Sequence, residues 1–391
     1  VFGQPNFFTI SSGSASNRMN SPHGIATDTN DRLYVCDTGN NRVLVYTRVT
    51  TAGVDPAPTP QRLPTFNQPL GIYVSAVTGE IWVADTNNGV VDRFPLFDNL
   101  ALSNSPLQQF NSSTPAAVTL DAYGNPVVAE AINRVTFYFP NLTGANAASY
   151  FNGWLAPGMI ASLFPPQGSS TQFGTQTASF NTLPNPLPLP TTLGDIQVLV
   201  NGNPAPLFYV SPTQVNFQVP SATSAPGVAD FQVVSQSTGQ IYADSRIQMN
   251  LAEPGFFTVN AQGTGQIAAL NQDNTLNSPS NPAARGSVVQ LFGTGQGLIP
   301  GGPDDGAPAP GALPGNLPIQ VIVNGPSFVD AANIQYFGLA PGFVGVWQLN
   351  VAIPQNVPPS AAIPVVITVN DNNSNAGPGS TRLVTTIAVK Q

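Results

Sequence analysis

Residues 33–46 read Leu-Tyr-Val-Cys-Asp-Thr-Gly-Asn-Asn-Arg-Val-Leu-Val-Tyr: an alternating segment, a turn through Asp37 to Asn41, then a second run of β-branched residues. A period of two, broken by turn formers and then resumed, predicts a two-stranded hairpin. Aligned on it, the first 140 residues contain three blocks, "SPHGIATDTNDRLYVCDTGNNRVLVY", "QPLGIYVSAVTGEIWVADTNNGVVDRF" and "TPAAVTLDAYGNPVVAEAINRVTFYF". Each runs proline, strand, turn, strand, acid, turn, strand. Pro22, Pro69 and Pro115 recur at intervals of 47 and 46 residues, and Asp37, Asp85 and Glu130 at 48 and 45. Several strands per repeat at a period near 45 predict propeller blades.

After Pro140 the rhythm changes to strands separated by Pro/Gly/Ser/Asn stretches such as "LPNPLPLPTTLG". A second duplication is present here. "APGMIASLF" at Ala156 matches "ARGSVVQLF" at Ala284, "IQVLVNG" at Ile196 matches "IQVIVNG" at Ile319, and "VNFQVP" at Val215 matches "LNVAIP" at Leu349. Each copy carries an Asn-Gly pair, Asn201-Gly202 or Asn324-Gly325, the strongest short-range hairpin signal. Roughly seven short strands per copy predict two immunoglobulin-like β-sandwiches without the Cys…Trp…Cys core. The fold expected is all-β: three blades over residues 1–145, one sandwich over 146–255 and another over 256–391.

The first block resembles the NHL repeat through Pro22, Gly24, Asp37, Asn40, Asn41, Arg42 and Val43. The second keeps Pro69, Gly71, Asp85 and Asn88 but aligns Gly89-Val90 with Arg42-Val43, and the third has Ala117 for glycine and Glu130 for aspartate. Such decay is expected of a terminal repeat. From about Ser149 to Val389, "LPTTLGDIQVLVNGNPAPLFYVSPTQVNFQVP", "NPAARGSVVQLFGTGQG" and "FGLAPGFVGVWQLNVAIP" resemble the uncharacterised C-terminal domain of secreted Solibacter-type Acidobacteria proteins. Neither resemblance implies a reaction.

Composition narrows the function. Charged residues make up 8% of 391, against about 25% in an average domain, and 40 Pro and 36 Gly argue against long helices. With a net charge of −8 and Lys390 as the sole lysine, no basic stripe is available for nucleic acid or anionic lipid. No apolar run is long enough to span a membrane. Val1 in place of Met suggests a removed leader or a trimmed chain, and an extracellular or cell-surface location is expected.

Catalytic groups are scarce. The only histidine, His23, lies between Pro22 and Gly24 and reads as a blade residue; the only cysteine, Cys36, reads as a small core residue. Glu80, Glu130, Glu253 and scattered aspartates show no pairing of the glycosidase kind. Asp37 and Asp85 are expected to accept N–H bonds from the turns that follow them. Asp28–Asp31 and Asp371–Ser374 read as turns, since neither has the spacing of a dedicated calcium loop. Gly293–Gly297 lacks the following helix that a phosphate loop needs. Asn111, Asn141 and Asn372 begin N-x-S/T triplets. No catalytic, cofactor-binding or metal residue is therefore assigned, and no cofactor is expected.

Three blades fall short of the four to eight of closed rings, so open β-edges are expected, and these invite pairing with another chain. The reading that follows is a secreted, non-enzymatic structural protein whose copies assemble into a filament, sheath or surface layer. Two chains would contribute three blades each to one ring, or the segment "VFGQPNFFTI" would add as a strand to a neighbour's sandwich. The alternative is an adhesin binding glycan or protein through the blade face or sandwich loops, with Trp154, Tyr336 and Trp347 as exposed aromatics. A propeller lyase or hydrolase ranks last, for want of metal-binding histidines.

Overall fold

The computed structural model describes residues 2–391 other than 5, 7, 9, 16, 48–56, 101–104, 122–123, 139–141, 166–171, 326–328, 330–332 and 376–383. Among these the chain is all-β, its only helical pieces being short 3-10 turns. It divides into two compact units: Val1–Phe139 with Gly239–Ile241, and Pro140–Thr238 with Tyr242–Gln391.

The first unit holds three antiparallel sheets, one per sequence block. Strands β1 (Pro22–Thr27), β2 (Leu33–Asp37) and β3 (Arg42–Tyr46) form the first. Strands β4 (Pro69–Val74), β5 (Glu80–Asp85), β6 (Val90–Leu96) and β7 (Gln108–Asn111) form the second. Strands β8 (Pro115–Leu120), β9 (Pro126–Glu130) and β10 (Arg134–Phe137) form the third. The turn after each acid needs one left-handed residue before the next strand, and Asn41 (φ 58°), Gly89 (φ 68°) and Asn133 (φ 62°) supply it. Strand register pairs Asp37 with Arg42 and Asp85 with Val90, so Gly89 is the counterpart of Asn41 and Val90 that of Arg42. This corrects the sequence alignment by one residue.

Neighbouring sheets pack through their faces. Tyr34, Cys36, Val43 and Val45 of the first meet Ile72, Val74, Ile81, Val83 and Phe94 of the second. Trp82, Val91 and Phe110 of the second meet Val118 and Val128 of the third. Their inner strands come very close. A Cβ on Gly24 would lie 2.6 Å from the Leu70 carbonyl oxygen, and one on Gly71 2.6 Å from that of Ala116. One hydroxyl ties each junction: Thr38 Oγ1 donates to the Pro69 carbonyl at 2.6 Å, and Thr86 Oγ1 to that of Pro115 at 2.7 Å. The far face of the first sheet, Val35, Leu44 and Tyr46, is covered by Phe2 and Met19, with the Phe2 and Tyr46 rings edge to face at 5.0 Å.

In the second unit, β11 (Thr143–Asn146), β12 (Trp154–Leu155), β13 (Ile160–Phe164), β14 (Ala178–Ser179), β15 (Ile196–Val200), β16 (Asn203–Pro204), β17 (Leu207–Ser211), β18 (Gln214–Gln218), β19 (Gly227–Ser235) and β20 (Ile241–Met249) come first. They make two sheets, ordered β11-β13-β18-β17-β14 and β12-β20-β19-β15-β16, around a core that includes Leu155, Leu163, Val198, Phe217 and Phe231. Asn201 (φ 49°) and Gly202 (φ 79°) turn β15 into β16, as the Asn-Gly signal predicts.

A second sandwich follows the same plan. One sheet runs Gly255–Phe256, Val288–Thr294, Trp347–Ala352, Ile334–Leu339 and Leu313–Pro314; the other runs Gly265–Gln266, Thr385–Lys390, Ser360–Val369 and Ile319–Val323. Phe256, Leu291, Val321, Trp347, Leu349 and Ile387 share its core. All three duplicated sequence segments fall on equivalent strands, and even the parallel edge pair recurs, β12 on β20 and Gly265–Gln266 on Thr385–Lys390. The two sandwiches meet where Ile160 N–H donates to Thr294 Oγ1 at 2.8 Å and Asn146 Nδ2 to the Glu253 carbonyl at 2.7 Å.

Candidate functional site

Each sheet of the first unit is locked by the acid that ends its second strand. The Asp37 carboxylate, fully buried, accepts from the backbone N–H of Asn20 (2.6 Å), from Asn40 Nδ2 (2.8 Å) and from Arg42 Nε (2.7 Å). Asp85 accepts from Asn67 N–H and Asn88 Nδ2, both at 2.7 Å. The backbone donor thus comes from the chain entering the first strand, not from the turn that follows the acid, which corrects the sequence expectation. With no arginine at Val90, burial outweighs these two bonds and the Asp85 carboxyl lies above its ordinary value. Burial also pushes Glu130 up, but Ser112, Thr136 and Arg134 outweigh it and hold the carboxyl below its usual value.

The third sheet differs at its free side. Its inner face, Val118 and Val128, is buried, whereas Ala117, Thr119, Ala129, Val135 and Phe137 of the opposite face are exposed, the last two at 57% each. Among the described residues β10 pairs with β9 alone, as β3 does with β2, while their counterpart β6 carries β7 on its outer side. A cleft of about 760 Å³ runs along β10, lined by Arg134, Val135, Thr136, Phe137 and Tyr138 and, from the neighbouring sheet, by Asn111. The devices that join earlier sheets are missing: Ala117 stands where Gly24 and Gly71 make close backbone contact, and Ala131 follows Glu130 where Thr38 and Thr86 follow their aspartates.

Residues 19–46 and 66–91 match the NHL repeat. No curated protein matches the chain. Among solved structures, Kuenenia stuttgartiensis hydrazine synthase is 8% identical over 73% of this chain and 59% of its own, with a TM-score of 0.23. The extracellular domain of a putative one-component system from B. thetaiotaomicron is 9% identical over 94% and 49%, with a TM-score of 0.23. A protein of the Bacteroides ovatus mixed-linkage glucan utilization locus, in complex with a mixed-linkage heptasaccharide, is 10% identical over 73% and 56%, with a TM-score of 0.26. The chain therefore spans about half to three fifths of each, and likenesses this low carry no argument about what it binds.

The matched residues cover β1 to β3 of the first sheet and β4, β5 and the start of β6 of the second; the third sheet lies outside them. Within the first NHL blade, His23 is exposed and its Nδ1 donates to the Ser21 carbonyl at 3.0 Å. Cys36 is buried, and burial pushes its thiol up to about 12, far from the thiolate a nucleophile needs. Asp28 accepts N–H bonds from Asn30 and Arg32 and the Tyr34 hydroxyl, so it is occupied as a turn organiser.

Of the three aromatic residues expected on the surface, one is in a core and two are partly covered. Trp347 is fully buried in the second sandwich core, Tyr336 is half-buried with its hydroxyl donating to the Leu339 carbonyl at 2.6 Å, and Trp154 is half-buried. Gly293, Gly295 and Gly297 lie against the linker between the sandwiches, where a Cβ would overlap the carbonyl oxygens of Gly255, Glu253 and Leu251. Close backbone packing explains this glycine run. Glu80 bonds Arg93, and Asn372 Nδ2 donates to the Ala252 carbonyl at 2.8 Å. Asn141 lies outside the described residues. Sequence reading missed Phe137 and Val135; their alternation with Arg134 and Thr136 on β10 was the available signal.

Proposed function

We propose that this chain is a secreted, non-enzymatic structural protein whose copies assemble through the open β-edge of the third blade. The observation that carries this reading is β10, an edge strand without an outer neighbour among the described residues, flanked by an apolar face on which Val135 and Phe137 are each 57% exposed. A row of unpaired backbone donors and acceptors beside an apolar surface is a template for another strand, and natural edges that are not used are usually blocked by charge, proline or a bulge. Here the strand carries one charged residue, Arg134, already engaged with Glu130. Secretion is supported by the likeness of the C-terminal motifs to tails of secreted Acidobacteria proteins. The scarcity of histidine and the core placement of Cys36 support a non-enzymatic role. Negative-stain microscopy and sedimentation of the purified full chain test the reading: concentration-dependent polymers are expected, and monomers alone at every concentration would sink it.

The cleft favours a second reading. Its volume of about 760 Å³ lies in the range of ligand sites, and Phe137 stands beside Arg134 and Asn111, a mixture of ring and polar groups suited to a glycan or a peptide side chain. Isothermal titration with oligosaccharides discriminates: saturable heat abolished by Phe137→Ala supports the adhesin, and no heat with any glycan removes it.

A further inference from the structure

Two departures from the repeat set the chemistry of the cleft along β10. In the first two blades the N–H groups just ahead of the entry proline have partners. Asn20 N–H donates to Asp37, Asn67 N–H to Asp85, and Gln68 N–H to Asn41 Oδ1 at 2.9 Å. Their counterparts ahead of Pro115 are Ser113 and Thr114. Gly89 stands where Asn41 offers a side-chain oxygen one junction earlier, and Glu130, one methylene longer than aspartate, accepts from Ser112 Oγ in place of a backbone N–H. Neither Ser113 N–H nor Thr114 N–H has an acceptor among the described residues, and Thr114 Oγ1 is buried without a partner.

The side chains that line the cleft lean the same way. Arg134 binds Glu130 Oε2 through Nε at 2.9 Å and through Nη2, which leaves both protons of Nη1 without an acceptor on a side chain that is 53% exposed. Asn111 is exposed, its amide makes no bond among the described residues, and it can turn its NH2 inward. Acceptors, by contrast, are spent. Glu130 takes Ser112, Thr136 and Arg134 on its two oxygens, the Asn111 carbonyl takes the Tyr138 hydroxyl at 2.5 Å, and the Gly89 carbonyl takes Ser112 N–H at 2.9 Å. An edge backbone offers N–H and C=O in equal number, so it leaves this balance unchanged. Arg134 lies on the inner face of the third sheet and Val135 and Phe137 on the outer, and all three line the cleft because it follows the edge between those faces.

We infer that the cleft binds a carboxylated sugar, a uronate of an acidic polysaccharide, with its carboxylate on Arg134 Nη1, Asn111 Nδ2 and Ser113 N–H and its ring along Val135 and Phe137. This rests on the reading of the cleft as a glycan site. The donor excess argues for the charge. A sugar hydroxyl both donates and accepts, and a proton buried without an acceptor is costly, whereas a carboxylate only accepts. Its bond to a guanidinium is also roughly twice as strong as a neutral one. Glu130 is already covered by its donors, with a side chain only 1% exposed, so it does not compete for the ligand. The apolar part argues for a sugar. Val135 and Phe137 form a shallow platform, each 57% exposed, which suits the flat face of a pyranose, whereas an apolar peptide side chain needs a pocket.

The test titrates the full chain with oligogalacturonate, oligoalginate and glucuronate-bearing xylan fragments, each beside its own methyl ester, which keeps sugar and linkage and removes the charge. Saturable binding by at least one free acid, at least about 10-fold tighter than its ester, is expected for a hydrogen bond to a charged group. Asn111→Asp sets an anion in the cleft on an exposed side chain that bonds nothing, so circular dichroism and the urea midpoint should match the parent. It should weaken the acid at least about 10-fold more than the ester. Arg134→Lys keeps a cation beside Glu130 but loses the fork, and should weaken the acid about 10-fold. Phe137→Ala should weaken acid and ester alike. An ester that binds as tightly as its acid, in the parent and in Asn111→Asp, overturns the acidic class while the glycan reading stands. Peptides with a free C-terminal carboxylate that saturate the chain where no oligouronate does overturn the sugar. No saturable binding by any free acid at millimolar concentration overturns this inference, and if neutral oligosaccharides are silent as well, the glycan reading falls with it.

Discussion

Single carboxylates do most of the local organising in the blades, and their surroundings set different values on each. Asp37 holds a backbone N–H, an amide and a guanidinium in a fully buried position, whereas Asp85 lacks the guanidinium. Removing an acid that neutralises a partly buried arginine is costly, so Asp37→Ala should lower the urea-unfolding free energy by about 3 kcal/mol. Asp85→Asn should lower it by about 1 kcal/mol, the net value of an ordinary hydrogen bond. Glu253 acts in the opposite sense. Burial, only partly offset by the bond from Asn250, pushes its carboxyl up to about 7. The folded state then holds a proton that the unfolded chain releases near its ordinary value of 4.5, so stability falls as pH rises from there to about 7. Glu253→Gln should flatten that slope and gain on the order of 2 kcal/mol at neutral pH, read from urea midpoints across the window.

At the level of elements, strand burial reports what packs on each face. Strands β2 and β5 are buried on both, because each NHL blade is covered from two sides, while β9 alternates because one side of the third sheet is bare. The glycines of the inner strands mark this difference. Gly71→Ala would set a Cβ 2.6 Å from the Ala116 carbonyl oxygen and should destabilise by about 1–3 kcal/mol through overpacking. Ala117→Gly faces no neighbour and should cost only about 0.5–1 kcal/mol, the entropy of a strand glycine. Thermal melts of the two variants side by side measure the contrast. Equal losses would mean that the third blade is packed like the others.

For the whole molecule, the net charge of −8 sets copies against one another, while the edge proposed to join them carries only the paired Arg134. Added salt should therefore tighten assembly, since screening over a Debye length of about 10 Å at 0.1 M removes repulsion without weakening an apolar contact. Sedimentation at low and moderate ionic strength checks the sign; weakening by salt would point to ion pairs. Much of the architecture was legible beforehand. The proline and acid spacings predicted blades, the NHL resemblance holds in two blocks, and the paired segments Ile196–Val200 and Ile319–Val323 occupy equivalent strands. These features depend on backbone period, turn chemistry and residues near in sequence, so the sequence by itself determined them. Which faces remain bare was decided only by tertiary structure. Trp347 and Phe137 are both aromatic residues on alternating strands, yet one is walled in by Phe256 and Phe337 and the other meets solvent. Exposure is set by what a distant segment places against a strand, and a period of two names the faces without saying which is covered.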